Sequence, residues 1–187
     1  MVPPTPACAR ALDIVVAALE RAGHSVQAVS PPAPYEGLVL ASQLLAADGC
    51  YTFGRPVRTG EALDPGAAQL RSYMRLPRVV KYLHYLWVRY ARRDRVWAGL
   101  LRDWYPKSSA QQWRLVDQRE TYRARWHSWW TGLGPDGPDV LLTVPHAAPA
   151  LPHGATRHAF SSCGYTFLFN LVTDTLLLPS RCVPQVC

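Results

Sequence analysis

The sequence predicts a single domain of the mixed α/β class, and two stretches carry that prediction. Over residues 7–22 apolar side chains recur at helical spacing, Gly23 ends the helix, and residues 24–29 alternate like a short strand. Residues 139–144, Asp-Val-Leu-Leu-Thr-Val, have the apolar composition of a buried strand. Because helices that alternate with buried strands build layered α/β domains, we expect a mixed sheet with surrounding helices.

The segment between the first strand and residue 77 is predicted to be mainly helical. A second helix is expected over residues 35–48, and a polar, glycine-containing loop over residues 50–65. Helical signals resume at Asp64-Pro65. The pair Leu76-Pro77 predicts a break there, because the residue before a proline is pushed out of the α region.

Beyond residue 105 the pattern predicts one long helix. Ser108 or Ser109, each followed by a glutamine three residues later, supplies a capping-box start. The helix is expected to run to about Trp130, where glycines and a proline close it. Residues 160–171 are again strongly apolar.

The positive charge of the chain is concentrated in residues 71–107. This window has ten Lys and Arg residues and two acidic residues, so it carries +8, whereas the whole chain carries +7. It also contains eight Tyr and Trp residues. Two apolar stripes, within residues 79–90 and 96–104, flank the polar run Arg92-Arg-Asp-Arg. We therefore expect two amphipathic helices around a basic turn.

Such a helix pair suits a membrane surface, because positive charge interleaved with Trp, Tyr and Leu fits the boundary between acyl chains and anionic headgroups. The residues expected to bind an anionic membrane are Tyr82, Leu83, Leu86, Trp87, Arg89, Tyr90, Arg92, Arg93 and Trp97. One alternative is that the stripes pack on the chain's own core while the arginines are solvated. Another is single-stranded nucleic acid, which arginines and aromatic rings also bind. No nucleic-acid-binding motif accompanies the window, so no nucleic-acid partner is expected.

A search for catalytic or metal-binding residues finds no compact motif. His146, His153 and His158 share a loop rich in proline and glycine, but lack a ligand spacing such as His-Glu-x-x-His. The triplet Ser161-Ser162-Cys163 lacks the flanking glycines of a nucleophile elbow, and no activating base can be assigned to it. We therefore expect no metal, no cofactor and no catalytic residue in this chain.

Composition predicts the cellular compartment. Five scattered cysteines favour reduced thiols inside the cell. No secretory leader is visible, and no apolar run approaches the roughly 20 residues that a membrane-spanning helix needs. We expect an intracellular protein, peripheral on endomembranes.

A series of short motifs runs in order along about residues 5–170: Thr5-Pro-Ala-Cys-Ala-Arg-Ala, Ala18-Leu-Glu-Arg-Ala-Gly-His, Leu45-Ala-Ala-Asp-Gly-Cys, Leu63-Asp-Pro, Arg75-Leu-Pro, Pro106-Lys-Ser-Ser-Ala, Trp113-x-Leu-x-x-Gln with Tyr122-Arg, Asp139-Val-Leu-Leu-Thr-Val-Pro, Pro149-Ala-Leu-Pro-His-Gly and Tyr165-Thr-Phe-Leu-Phe-Asn. Taken together, they resemble the second half of fatty acid amide hydrolases, which belong to the amidase signature family. Each motif is short, and the shared order carries the resemblance.

The resemblance implies a partial amidase-signature domain over residues 1–187. Residues 66–105 would form a helix–turn–helix cap that seats a peripheral enzyme on one membrane leaflet, and residues 1–65 and 106–175 would belong to the α/β core. Gln69 falls where the family commonly has an acidic residue. By position, the residues implied to line the acyl or access channel are Leu45, Leu70, Leu100, Trp104, Phe160 and Cys163.

The resemblance also implies an activity for the parent family, the hydrolysis of fatty acid amides to fatty acid and amine. The family's Ser-Ser-Lys triad lies upstream of the matched region, so no residue of this chain is expected to inherit those roles. Residues 171–187 form a tail that diverges from the family. We expect the chain to carry the cap and channel and to be inactive alone. The alternative is a non-enzymatic module that binds a membrane surface or a partner, and a homodimer also stays open.

Overall fold

The computed structural model describes residues 3–58, 60–134, 137–155 and 164–172. Over these ranges the chain folds into helices joined by irregular loops, and a π-helical turn, Trp87–Ala91, extends the fifth helix. The helices are α1 Pro6–Arg21, α2 Pro34–Leu45, α3 Tyr51–Gly54, α4 Pro65–Met74, α5 Arg78–Leu86, α6 Arg95–Arg102, α7 Ser109–Thr131 and α8 Gly164–Val172.

The predicted α/β class, with its mixed sheet, is wrong, because the described residues contain no strand. Residues 24–29 and 139–144, predicted as strands, are irregular, and Val140 is exposed rather than buried. A pattern of alternating or consecutive apolar residues indicates only which side chains could be buried. A strand also needs a neighbouring strand that pairs with its backbone N–H and C=O groups, and neither segment has one among the described residues. The apolar segment near residue 170 is the helix α8.

The helices themselves were largely predictable from local signals. Helix α7 starts with the expected capping box: Ser108 accepts a hydrogen bond from the Gln111 N–H, and the Gln111 side chain accepts one from the Ser108 N–H. Helix α1 ends just before Gly23, which has a φ of +88°. The predicted loop over residues 50–65 contains the short helix α3.

Helix α2 lies at the centre of the fold and contributes to two hydrophobic clusters. One cluster joins α2 to α4, the π-helical turn and α6, and its members include Leu38, Leu70, Met74, Val88, Leu100 and Trp104. The other joins α2 to α7 and α8, and its members include Leu40, Leu115, Tyr122, Trp126 and Leu168. The two predicted windows, the basic pair of helices and the long α7, are therefore packed on opposite sides of one helix.

The approach of α7 and α8 to α2 is close at Gly37. A Cβ atom at this position would lie 2.6 Å from both the Leu168 Cδ1 and the Tyr122 hydroxyl oxygen. That hydroxyl donates a hydrogen bond to the Pro32 carbonyl at 3.0 Å, which ties α7 to the loop before α2. An ion pair between Arg125 and Glu36, 2.7 Å between Nη1 and Oε2, adds a surface link between the same two helices.

The expected pair of helices around a basic turn is confirmed. Helix α5 and the π-helical turn run out to residue 91, and α6 returns beside them. The reversal is made at Arg93, which has a φ of +55°, and Asp94 caps α6 by accepting a hydrogen bond from the Trp97 N–H at 2.9 Å. We call α5, the π-helical turn and α6 the basic hairpin.

Candidate functional site

The outer face of the basic hairpin is apolar and exposed. Leu83, Trp87 and Tyr90 are 59%, 52% and 67% exposed, and Val79 and Tyr82 are exposed beside them. Because residues spaced three and four apart share one face of a helix, these five side chains form a continuous strip. We call Val79, Tyr82, Leu83, Trp87 and Tyr90 the apolar ridge. Of the three interpretations of the basic window, packing on the chain's own core does not apply to this face, because its side chains are exposed.

Arginines border the ridge and contact its rings. The guanidinium of Arg92 lies 5.6 Å from the centre of the Trp87 ring, and that of Arg89 lies 5.6 Å from the centre of the Tyr90 ring. Arg89 also donates a hydrogen bond to the Tyr85 hydroxyl at 2.9 Å. Such cation–π contacts hold the charges beside the rings. The ridge is therefore an apolar strip bordered by positively charged side chains, which is the arrangement that interfacial helices present to membranes.

The inner face of the same helix carries a buried lysine. Lys81 is only 6% exposed, and Val88, two turns further along that face, is fully buried. The Lys81 ammonium donates hydrogen bonds to the Met74 carbonyl at 2.9 Å and to the Trp104 carbonyl at 3.2 Å. Both carbonyls lie at or just beyond helix C-termini, of α4 and α6, where backbone C=O groups lack helical partners and favour a cation.

Burial shifts the pKa values of two side chains on this inner face, Lys81 and His84, and of Tyr73, which contacts both of them from α4. Burial lowers the pKa of Lys81, and the nearby positive charge of Arg78 lowers it further. Burial also lowers the pKa of His84, with Arg92 acting in the same direction. Tyr73, whose ring lies 5.6 Å from that of His84, has its pKa raised to about 12 by burial. The inner face therefore favours neutral side chains, and Lys81 depends on its two carbonyl partners.

A groove of about 350 Å³ runs between the basic hairpin and the start of α7. Its walls are formed by Arg78, Lys81, Tyr82, Tyr85, Leu101, Arg102, Trp104, Tyr105 and Gln111. Tyr82 belongs to both the groove and the apolar ridge, so the two features adjoin each other. None of these nine lining residues is acidic, which makes the groove a concave cationic site beside an apolar surface.

The structure separates the residues predicted to bind a membrane into two groups. Tyr82, Leu83, Trp87, Arg89, Tyr90, Arg92 and Arg93 are exposed. Leu86 is half-buried, and Trp97 packs its ring edge-on against Trp104 with 5.3 Å between ring centres. Trp97 is thus placed as a support for the hairpin core rather than as an outward-facing side chain.

The residues implied to line an acyl channel are brought together only in part. Leu70, Leu100 and Trp104 meet in the hydrophobic cluster that joins α2 to the hairpin. Leu45, at the end of α2, is exposed. Phe160 and Cys163 lie outside the described residues, as does most of the divergent tail.

Sequence reasoning missed two features of the site. Val79 was part of the apolar stripe but not of the predicted membrane-binding set, although its spacing of four from Leu83 places it on the same face. Lys81 belongs to the basic window, where it was expected only to flank the first apolar stripe, whereas the structure buries its side chain. Its spacing of four and seven from Tyr85 and Val88 was the signal that could have placed it on the inner face.

None of the described helices combines the length and apolar composition needed to cross a bilayer. The described residues also bring together no group of three or more His, Cys, Asp or Glu side chains suited to a metal ion. Comparison with known proteins gives no match, either among family models or among curated proteins.

Proposed function

We propose that this chain is a peripheral membrane-binding module that docks on anionic lipid surfaces through the basic hairpin. The observation that carries the proposal is the apolar ridge, five exposed apolar side chains on one helix face with arginines held against their rings. Exposing such a strip to water is unfavourable, whereas burying each large side chain contributes about 1.5–3 kcal/mol. Arginines near an anionic surface add about 1 kcal/mol each. Both contributions favour a membrane over water.

Vesicle co-sedimentation tests this proposal. The chain is expected to bind phosphatidylcholine vesicles that contain phosphatidylserine, and to bind pure phosphatidylcholine vesicles less. The double substitution Leu83→Ser and Trp87→Ser should weaken binding by at least about tenfold, because it removes two apolar side chains that the bilayer would bury.

A matched control is available on α7. Trp113 is 74% exposed and lies outside the ridge, so Trp113→Ser removes a tryptophan that is more exposed than Trp87. It should leave vesicle binding unchanged. Equal losses in the Trp113 variant and the ridge variant would refute the proposal, because binding would then reflect general hydrophobicity.

A second candidate function follows from the convergence of Leu70, Leu100 and Trp104 in one cluster. We propose that the chain is related to fatty acid amide hydrolases and contributes the lipid-binding part of such an enzyme, without the nucleophile. The lipid amide would be the parent enzyme's substrate, and the hairpin would seat the protein on intracellular endomembranes. The convergence supports this proposal because channel-lining residues of one enzyme must lie close together.

A fluorophosphonate probe, which reacts with activated serines, tests the second candidate. Intact-mass measurement is expected to show no adduct on the purified chain. A stoichiometric adduct at one serine would contradict the absence of a nucleophile and make the chain an enzyme in its own right.

A further inference from the structure

The groove beside the apolar ridge gathers three cations around one cavity. Lys81 lies on its inner wall, with Arg78 from the first turn of α5 and Arg102 from the last turn of α6. The walls also include Tyr82 and Tyr105, whose hydroxyls can donate hydrogen bonds. Converging cationic and hydroxyl donors are the features with which proteins bind phosphate groups.

Lys81 is the buried member of this set. Two of its three N–H groups are used by the Met74 and Trp104 carbonyls, and among the described residues no carboxylate pairs with it. A buried charge without a counter-charge is unfavourable. An anion in the groove would supply that counter-charge from the open side.

The two arginines supply the accessible charges. The Arg78 guanidinium lies 5.2 Å from the centre of the Tyr105 ring, and a guanidinium that stacks on a ring keeps its in-plane N–H donors for an anion. Arg102 is largely exposed and pairs with Asp103, with 3.0 Å between Nη2 and Oδ2. Because the guanidinium end of this pair is open to solvent, water screens its attraction to the half-buried Asp103, and a ligand with two negative charges can compete for Arg102.

We propose that this groove binds a phosphate monoester. A monoester carries up to two negative charges and three terminal oxygens, which matches three cationic side chains better than the single charge of a phosphodiester. Because Tyr82 belongs to both features, an anion in the groove would sit at the edge of the ridge, at the depth of lipid headgroups. The source is therefore a lipid headgroup or a soluble monoester, and in its lipid form the inference rests on the proposed membrane function.

The first arm of the test uses inorganic phosphate without any membrane. Isothermal titration at constant ionic strength should detect binding to the native chain, and the double substitution Arg78→Gln and Arg102→Gln should weaken it by about tenfold or more. The control is Arg92→Gln with Arg93→Gln, which removes the same charge from the turn outside the groove. That control should retain phosphate binding.

The second arm compares phosphatidylcholine vesicles that contain phosphatidate, a monoester, with vesicles that contain phosphatidylserine, adjusted to equal surface charge. A lipid source predicts that the native chain prefers phosphatidate and that the Arg78/Arg102 variant loses this preference. Phosphate binding without a vesicle preference would identify a soluble monoester as the ligand.

Absence of both effects, or effects of equal size in the two double variants, would overturn the inference. The arms also separate the two proposals. A chain that binds inorganic phosphate through Arg78 and Arg102 but binds no vesicle would contradict the membrane function and retain the groove site. A chain that binds vesicles but neither binds inorganic phosphate nor prefers phosphatidate would contradict the groove site and retain the membrane function.

Discussion

The ammonium nitrogen of Lys81 lies 3.2 Å from the carbonyl oxygen of Trp104, 23 residues further along the chain. Lys81 stands in the first turn of α5 and Trp104 just after α6, so this hydrogen bond closes the open end of the basic hairpin. The same ammonium contacts the Met74 carbonyl at the end of α4. One buried cation therefore connects three helices and orients the ridge on the opposite face of α5.

Replacing Lys81 tests that connecting role. Lys81→Met keeps the side-chain length but leaves two buried carbonyls without their donor, so we expect a loss of about 2 kcal/mol in the free energy of unfolding. Urea denaturation followed by circular dichroism measures it. Arg10→Met, at an exposed position of α1, is the control and should change stability little. An unchanged midpoint for Lys81→Met would show that the hydrogen bonds contribute nothing net.

Gly37→Ala tests the close contact between α2, α7 and α8. The added methyl group would overlap with the buried Leu168 and Tyr122 side chains, and overpacking of this kind destabilises by about 1–3 kcal/mol. Thermal denaturation should show a lower midpoint. Gly134→Ala is the matched control, because a Cβ there meets no atom within 4 Å. A variant at residue 37 as stable as the native chain would mean that the helices are further apart.

Protonation of His84 is expected to make the stability of the folded chain depend on pH. Burial and the charge of Arg92 lower its pKa below the ordinary value of 6.5, while Trp87 and Tyr73 cover its ring. As pH falls through 6.5, the unfolded chain binds a proton that the folded chain does not, so the folded state loses stability.

The variant His84→Phe removes this contribution. Denaturation midpoints measured from pH 7.5 down to about pH 5 should fall less steeply for the variant than for the native chain, because the difference isolates His84 from the other histidines. Parallel curves would contradict the lowered pKa.

Arg92 and Arg93, in the turn of the basic hairpin, are expected to make the affinity for anionic vesicles depend on salt concentration. Arg92→Gln with Arg93→Gln removes two exposed charges, and at about 1 kcal/mol per residue it should weaken binding to phosphatidylserine vesicles by about 30-fold at low salt. Raising the ionic strength should shrink this difference, because screening removes the electrostatic part. A salt-independent difference would indicate that the substitutions had altered the fold.

Local signals in the sequence account for the helices. The capping box at Ser108, the glycine after α1 and the Leu76-Pro77 break each act over a few residues, so they could be interpreted without the fold. A strand could not be predicted from local signals, because it forms only when its backbone pairs with another strand, which can be distant in sequence. Residues 139–144 show this: Val144 is buried and Leu141 packs against a hydrophobic cluster, yet the segment forms no strand.

The candidate site was predictable in its composition but not in its orientation. The spacing of Val79, Leu83 and Trp87 states that they share a face, yet it does not state whether that face points inward. Orientation depends on α2, α4 and α6, which bury Val88 and leave the ridge outside. The groove joins residues from α5, α6 and α7, so no local pattern could have revealed it.

Membrane insertion of Trp87 is the most direct test of the proposed function. Vesicles that carry bromine on their acyl chains quench a tryptophan that enters them. We predict that such anionic vesicles quench part of the native chain's fluorescence, that Trp87→Phe abolishes the quenched part, and that Trp113→Phe leaves it intact. No quenching of the native chain, or quenching that survives Trp87→Phe, would contradict docking through the apolar ridge.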